Sequence, residues 1–345
     1  MTHPPRPLKL GLLGAGAAMR KLHLPALAKL RGEIELTAVW SRSAERAVDL
    51  AAEAGIDRSF ADYRDLLADP TIDAVLIAVP IELNAALAIE AIEAGKHVIA
   101  EKPIAATTAE ARQVLNACRS TQCVVLIAEN FRYRDDILEA KRLVESGAIG
   151  RVQCFQMTAV FDLLRDIRRV YMEQPWRQQP KHAGGLAVDA GIHAVSGLRE
   201  ILGDVDHVYA RLLNNSPATS GPDGLLMQLG LVSGAPGHYF SCYSAKTDRE
   251  TVFDLSVYGD EGSLWLTEGK VEWLSTRTGE RNTWQAAAPD RGYVGQWRNF
   301  VAAVRGSEPV YSTSAKAYND LLVLECALSS AASGQRVSVG EGVAE

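Results

Sequence analysis

From Leu8 to Ala128 short apolar runs alternate with amphipathic segments, and the first junction is a glycine turn, Gly14-Ala15-Gly16. Leu8 to Leu13 reads as a buried strand and the stretch from about Ala18 to Leu30 as a helix, so the chain opens as strand, turn and helix. Ile34 to Trp40 predicts a second strand, Ser43 to Ala54 a helix, Ile72 to Val79 a third strand, and Asn84 to Ala94 a helix that Gly95 ends. His97 to Glu101, Thr108 to Arg119 and Val124 to Ala128 continue as strand, helix and strand. Strands joined by helices pair in parallel, and the product is a doubly wound α/β sheet.

Beyond residue 128 the rhythm changes. One helix near Asp135 to Ser146 precedes candidate strands at Arg151 to Ala159, Val208 to Leu213, Leu225 to Leu231, Gly237 to Ser244, Thr251 to Gly259, Ser263 to Thr267 and Lys270 to Ser275. Their adjacency favours a large, open, mainly antiparallel sheet. A chain of 345 residues exceeds the size at which single cores stop growing. The expected domains are therefore 1–128, a Rossmann dinucleotide-binding unit, and 129–345, an α/β unit for substrate binding and oligomerisation. One face of such a sheet needs a cover, from its own helices or from another subunit.

Apolar residues at 47% and charged residues at 23% describe a soluble globular protein, and 36 basic against 42 acidic side chains make it mildly acidic. That balance offers nothing to nucleic acid or to an anionic membrane, and no apolar run is long enough for a bilayer. Five cysteines, odd in number and without metal-type clustering, suit a reducing compartment, so the cytoplasm is expected.

Gly14-Ala15-Gly16-Ala17-Ala18-Met19 lies between a strand and a helix, the context that makes a glycine pattern a phosphate-binding hypothesis. A pyrophosphate needs only the tight turn and free backbone amides, which makes Gly14, Gly16, Ala17 and Ala18 the expected cofactor-binding residues. Met19 stands where a third glycine would permit close helix packing, so packing must differ or the helix must shift. An NAD-specific site places Asp or Glu at the end of the second strand, whereas this chain has Trp40-Ser41-Arg42, with Arg46 one helical turn on. A hydroxyl and a guanidinium suit a 2'-phosphate. NADP(H) is therefore expected over NAD(H), although a solvated Arg42 would look the same in sequence.

Glu101-Lys102-Pro103 ends a strand of this sheet, where ligands of open α/β sheets bind. Lys102 is the first candidate for chemistry, a cation able to reach a reacting oxygen; a solvated lysine restricted by Pro103 is the plain alternative. Asp189 and His193 stand four apart, neighbours on one face if the stretch is helical, so a carboxylate could orient an imidazole base. A surface ion pair fits that spacing as well, and a metal is discounted for want of a third suitably spaced ligand. Gly184-Gly185 upstream would allow close backbone approach to a ligand or a sharp helix start. Between Phe161 and His182, Arg165, Arg168, Arg169, Arg177 and Lys181 hint at a carboxylated or phosphorylated ligand, and solvated arginines explain them equally.

Together these residues resemble the Gfo/Idh/MocA family of glucose-fructose oxidoreductases, inositol dehydrogenases and rhizopine-catabolism oxidoreductases. The resemblance covers nearly the whole chain. It rests on Gly14-Ala15-Gly16, His23-Leu24-Pro25-Ala26-Leu27, Ser41-Arg42, Ala94-Gly95-Lys96-His97-Val98 with Glu101-Lys102-Pro103, Asn130 to Tyr133, and Gly184-Gly185 leading to Asp189 and His193. It implies a Rossmann domain followed by an α/β domain with a large open sheet, and homodimers or homotetramers through that sheet. It also implies a Lys102, Asp189 and His193 catalytic set and a cis Lys102-Pro103 peptide. Pro80, Asn84, Glu101, Lys102 and Asn130 would then serve the cofactor, and Tyr133, Trp176 and Arg177 would join the catalytic set around the substrate. The chain departs from the family pattern at Met19, at Asn84 where histidine is common, and at Ser196 where aspartate is frequent.

The expected reaction is hydride transfer between nicotinamide and a secondary alcohol or ketone of a sugar, sugar derivative or cyclitol, with His193 as base and Lys102 on the reacting oxygen. Two other readings stay open: an NAD(P)-dependent glycoside hydrolase on the same fold, and a non-catalytic dinucleotide-binding sensor.

Overall fold

A computed structural model of the chain describes residues 6–165, 168–287, 291–340 and 342–344. Its contacts divide into two units: the described residues up to Glu129 with Tyr293–Tyr318, and Asn130–Gly292 with Asn319–Ala344. A single cut after residue 128 follows this division only as far as Gly292, because the chain then returns to the first unit.

The first unit is built on a six-stranded sheet of β1 (Leu8–Leu13), β2 (Ile34–Trp40), β3 (Ser59–Phe60), β4 (Ala74–Ile77), β5 (His97–Glu101) and β6 (Val125–Ala128). All neighbours are parallel, in the order β3-β2-β1-β4-β5-β6. Leu10, Leu12, Leu13, Val75, Leu76 and Ile77 are fully buried. Continuous apolar burial of this kind is what a parallel sheet covered on both faces requires. The strand order reverses between β1 and β4, the topological switch at which such sheets bind ligands.

Helices follow their sequence signals. In α2 (Ala44–Ala54) the Ser43 hydroxyl accepts from Arg46 N at 3.3 Å, and Gly55 closes the helix at φ 69°. α3 (Tyr63–Ala68) and α4 (Ile81–Glu93) follow, and Thr107 caps α5 (Thr108–Arg119) through Glu110 N at 3.2 Å. The first helical segment is irregular, with a π turn at Met19–His23 before α1 (Leu24–Leu27). Met19 is completely buried there. The helix thus accommodates a long side chain at the third glycine position by widening. Late in the chain, α11 (Tyr293–Val304) buries Trp297 and Phe300 in this unit, and Ile127 N donates to Ser312 O at 3.1 Å beside β6.

The second unit carries α6 (Asp135–Glu145), β7 (Val152–Val160), and the short helices α7 (Arg169–Met172), α8 (Pro175–Gln178) and α9 (Gly185–Asp189), then α10 (Gly191–Leu202). β8 (Val205–Leu213), β9 (Gly224–Leu231), β10 (Pro236–Cys242), β11 (Thr251–Gly259), β12 (Gly262–Thr267), β13 (Lys270–Ser275), β14 (Arg281–Gln285) and β15 (Val337–Ser338) complete it. The nine strands run β14-β13-β12-β11-β7-β10-β9-β8-β15, antiparallel except where β10 meets β7. Alternation decides the faces: Phe253, Leu255 and Val257 are buried, while Asp254, Ser256 and Tyr258 between them are half-buried. One rung of the more open face reads Tyr209, Gln228, His238, Gln156, Ser256, Trp265 and Glu272 across seven paired strands.

α10 packs against α6, and its C-terminal half is held by a buried charge network. Arg132 reaches Glu200 at 2.6 Å and Asp320 at 2.5 Å, Lys141 reaches Glu200 at 2.6 Å, and Arg199 pairs with Asp320 and Asp204. Buried charges are tolerated only when paired in this way. The helix whose first turn carries His193 is therefore anchored at its other end. Among the described residues no helix is long and apolar enough to cross a membrane, and no group of three or more His, Cys, Asp or Glu could hold a metal ion.

Candidate functional site

In the first unit the glycine turn leaves β1 with Gly14 at φ +110° and its N–H bonded to Trp40 O at 2.8 Å. A Cβ at Gly14 would lie 2.2 Å from the Ala78 carbonyl oxygen. At Gly16 the same atom would meet nothing within 4 Å. The first glycine is needed by the fold, and the second faces open space of the kind a phosphate backbone takes up. Gly16, Ala17 and Ala18 are half-buried at the start of the helical segment. Their position fits a dinucleotide.

At the end of β2, Ser41 is half-buried, and Arg42 and Arg46 are exposed. Ser43 is occupied as the cap of α2. No carboxylate occurs in Ser41-Arg42-Ser43. Arg20 pairs with Glu53 and also donates to Arg46 O at 3.4 Å, which ties the first helical segment to α2.

β5 delivers Glu101 buried and Lys102 half-buried, and the Lys102-Pro103 peptide is cis. Asn84 is completely buried on the first turn of α4, and its Nδ2 donates to both Glu101 O and Pro103 O at 2.9 Å. The amide nitrogen of this expected cofactor residue is thus committed to the backbone on either side of Lys102. Its Oδ1 is buried and accepts no hydrogen bond among the described residues. Pro80, half-buried, immediately precedes α4.

The second unit holds the other predicted residues. Asp189 ends α9 and is buried, and Arg177 Nε donates to its Oδ2 at 2.6 Å. The guanidinium lies over Trp176 at 4.1 Å and Tyr171 at 5.6 Å. A stacked, charge-assisted donor of this kind fixes the orientation of the carboxylate. His193 sits in the first turn of α10, half-buried and stacked on Phe131 with ring centroids 4.8 Å apart and planes at 21°. Arg134 lies over the same Phe131 ring at 4.5 Å. Asn130 and Tyr133 belong to the 3-10 turn Asn130–Tyr133, with Asn130 Nδ2 donating to Arg291 O at 2.6 Å.

Gly184 and Gly185 prove to serve the chain itself. A Cβ on Gly184 would collide with Val188 at 2.0 Å, and Gly185, at φ +46°, would bring one to 2.9 Å from Pro222 backbone atoms. Ala187 N donates to Pro222 O at 3.1 Å, so the close approach is between α9 and the segment before β9. The arginine-rich stretch is also internally matched. Arg168 pairs with Glu250 at 2.6 Å, Arg165 with Glu250 at 3.9 Å, Arg169 with Glu173 at 3.2 Å, and Arg177 with Asp189. The hint of a carboxylated or phosphorylated ligand loses its basis, because these guanidinium groups already have carboxylates.

Some site neighbours escaped the sequence reading. Phe131, the platform under His193, is in sequence only an apolar residue within Asn130 to Tyr133. Tyr239 and Tyr243 share a buried hydrogen bond of 2.6 Å, and burial pushes the Tyr239 hydroxyl up to about 12. Burial raises Tyr243 further, with smaller contributions from Tyr239 and from the charge of Asp189. Both phenols therefore stay protonated. Trp297 and His23, buried beside Glu101, form a group that no spacing in the sequence indicates.

Two family descriptions match the chain: the oxidoreductase family with an NAD-binding Rossmann fold over residues 8–129, and the GFO/IDH/MocA C-terminal domain over residues 137–265. The chain is similar to 1,5-anhydro-D-fructose reductase from Ensifer adhaerens, 28% identical across 96% of this chain and 99% of that one. An oxidoreductase from Thermotoga maritima superposes with a TM-score of 0.88 at 31% identity, covering 97% of this chain and 99% of the other. Levoglucosan dehydrogenase in complex with NADH and levoglucosan superposes at 0.87 with 25% identity, covering 97% and 100%.

Proposed function

The chain belongs to the GFO/IDH/MocA family of oxidoreductases with an NAD-binding Rossmann fold, and from that premise we propose that it interconverts a secondary alcohol and a ketone on a sugar, sugar derivative or cyclitol, with NADP(H) preferred. The observation that carries the proposal is the fixed backbone around Lys102, a cation held after a central strand by Asn84 and Glu101. The relatives support a sugar substrate: the reductase and the dehydrogenase above are named for anhydro sugars, so anhydro sugars head the panel to be tried.

In this proposal Lys102, Asp189 and His193 form the catalytic set. When bound, the nicotinamide supplies the acceptor or donor of hydride. His193 as neutral imidazole takes the hydroxyl proton during oxidation and returns it during reduction. Lys102 binds the reacting oxygen and opposes the negative charge that develops on it. Asp189, held in place by Arg177, orients the imidazole or accepts from a neighbouring substrate hydroxyl. Tyr133, Trp176 and Arg177 flank the substrate.

Residues 1–128 hold the dinucleotide in this proposal, with Gly14, Gly16, Ala17 and Ala18 at the pyrophosphate, Ser41, Arg42 and Arg46 at the 2'-phosphate, and Pro80, Asn84, Glu101 and Lys102 towards the nicotinamide, while Asn130, the first residue of the second unit, also serves the cofactor. The preference for NADP(H) is supported by Ser41-Arg42 and the missing carboxylate. Arg42→Ala is expected to raise KM for NADP+ roughly tenfold, about 1.4 kcal/mol, while KM for NAD+ stays within about twofold. Steady-state kinetics with both cofactors check this, and equal changes in the two would remove the assignment.

Residues 129–345 supply the substrate and oligomer surfaces in this proposal. The aromatic and polar rung of the nine-stranded sheet suits pairing of like chains into a homodimer or homotetramer. Light scattering at micromolar concentration should give a multiple of the 37.3 kDa chain mass; a monomer would contradict it. The cytoplasm is the compartment proposed, where five free thiols stay reduced.

A further inference from the structure

Behind Lys102, three hydrogen bonds run in series within the first unit, and only the last of them, from Lys102 N to Glu101, enters the reading above. Trp297 Nε1 donates to His23 Nδ1 at 3.2 Å, His23 Nε2 meets Glu101 Oε1 at 2.8 Å, and Glu101 Oε2 accepts the backbone N–H of Lys102 at 3.1 Å. An indole nitrogen only donates. His23 Nδ1 must therefore be the bare, accepting nitrogen, and the single ring proton sits on Nε2, aimed at the carboxylate. Protonation on both nitrogens would set two N–H groups against each other at the indole. His23 is thus a neutral imidazole of one tautomer, and Glu101 is an acceptor through both oxygens.

The burial of this series needs a reason. His23 and Trp297 are 0% exposed and Glu101 is 8% exposed. Edge-on contacts of Trp297 (5.8 Å) and Tyr293 (6.1 Å) hold the imidazole ring. Ending a strand requires no buried carboxylate, and a partly satisfied polar network destabilises a core, so the groups must define something. They converge on three consecutive residues. Asn84 fixes the carbonyls of Glu101 and Pro103, and the series from Trp297 fixes the N–H between them. The π turn at Met19–His23 ends on His23 and so belongs to the same arrangement, and such turns are frequent at functional sites.

We propose that His23 and Trp297 are positioning residues for Lys102. They hold the Glu101 carboxylate in one orientation, the carboxylate holds the Lys102 N–H, and the point at which the lysine side chain leaves the backbone is set. This rests on the assignment of Lys102 to the reacting oxygen. It gives a role to the His23-Leu24-Pro25-Ala26-Leu27 segment that the catalytic set does not use.

The test compares His23→Leu, His23→Gln and Trp297→Phe in the full chain. A glutamine amide can accept from the indole and donate to the carboxylate, whereas leucine can do neither. Because a misplacement of about 1 Å costs on the order of 100-fold in rate, His23→Leu should lower kcat by that order with KM for NADP+ within about twofold. His23→Gln should recover most of the loss. Trp297→Phe removes only the donor that selects the tautomer, and it should lower kcat by about tenfold. Thermal melting is measured on each variant, and an activity loss that tracks only melting temperature, or an equal loss in the glutamine and leucine variants, overturns the proposal.

A second readout does not depend on turnover. Lysines are dimethylated with 13C-formaldehyde, and the Lys102 resonance is assigned by its absence in Lys102→Arg. A shift of that resonance in Trp297→Phe and His23→Leu, reversed in His23→Gln, sustains the positioning role even if no sugar is oxidised and the dehydrogenase reading fails. A resonance unmoved in all three variants overturns it, whatever the activity. Should His23→Leu fail to fold, His23→Gln and Trp297→Phe give the same decision: positioning requires the phenylalanine variant to move the resonance and the glutamine variant to leave it near the wild-type value.

Discussion

Lys102→Ala is expected to lower kcat/KM for sugar oxidation by about three orders of magnitude, the loss that follows removal of a charge-stabilising donor from a water-poor site. The methyl group left behind can neither bind the reacting oxygen nor offset the negative charge that grows on it. The backbone around the position has its own supports in Asn84 and Glu101, so the fold should survive, and dinucleotide affinity should fall far less than kcat/KM because the other cofactor contacts remain. Titration with NADP+ followed by steady-state kinetics separates the two effects. A variant that binds cofactor as the wild type does and also turns over within about tenfold of it would remove Lys102 from the chemistry.

Gly14→Ala should be the most damaging change in the nucleotide unit. The residue sits at φ +110°, and its new Cβ would lie 2.2 Å from the Ala78 oxygen and 2.9 Å from the Ala78 carbon, both backbone atoms. The carboxyl ends of β1 and β4 would have to separate, breaking the Ala78 N to Leu13 O bond of 2.8 Å. Backbone strain and overpacking together make a loss of about 3 kcal/mol or more. Gly16→Ala is the control, because its Cβ meets no protein atom within 4 Å. It should leave melting nearly unchanged and weaken NADP+ binding, whereas Gly14→Ala should lose both. Differential scanning calorimetry with isothermal titration reads the pair; equal behaviour of the two glycines would contradict the division of roles between them.

The first sheet was legible because parallel strands are buried on both faces and the helices between them are amphipathic, so period and punctuation agreed from Leu8 to Ala128. The second sheet was legible as strands and not as an order. Alternation along β11 tells which side chains face inward, but nothing in the sequence marks β10 as the parallel neighbour of β7. The return of Tyr293–Tyr318 to the first unit was invisible for a similar reason: α11 buries Trp297 and Phe300, and an apolar helix face does not state which sheet it covers.

At the candidate site, Lys102, Asp189 and His193 could be picked out by residue type and by resemblance, and the structure adds what holds them. Arg177 on Asp189, Phe131 under His193, and Asn84 beside Lys102 are contacts between residues distant in sequence, so spacing carried no trace of them. Two readings changed with that information. Gly184-Gly185 answers the crowding of Val188 and Pro222, and the arginines before it answer Glu250, Glu173 and Asp189. Sequence shows a guanidinium but not the carboxylate already facing it.

Oxidation of a carbohydrate hydroxyl with NADP+, the reaction proposed for this chain, can be followed directly. The most direct measurement adds NADP+ or NAD+ to the purified protein with a panel of anhydro sugars, sugars, sugar acids, cyclitols and aryl glycosides, and follows the absorbance of reduced nicotinamide beside Lys102→Ala. Reduction by at least one alcohol is expected, faster with NADP+ and abolished in the variant. Contradiction would be a panel in which neither cofactor is reduced, with aglycone release or binding without turnover in its place.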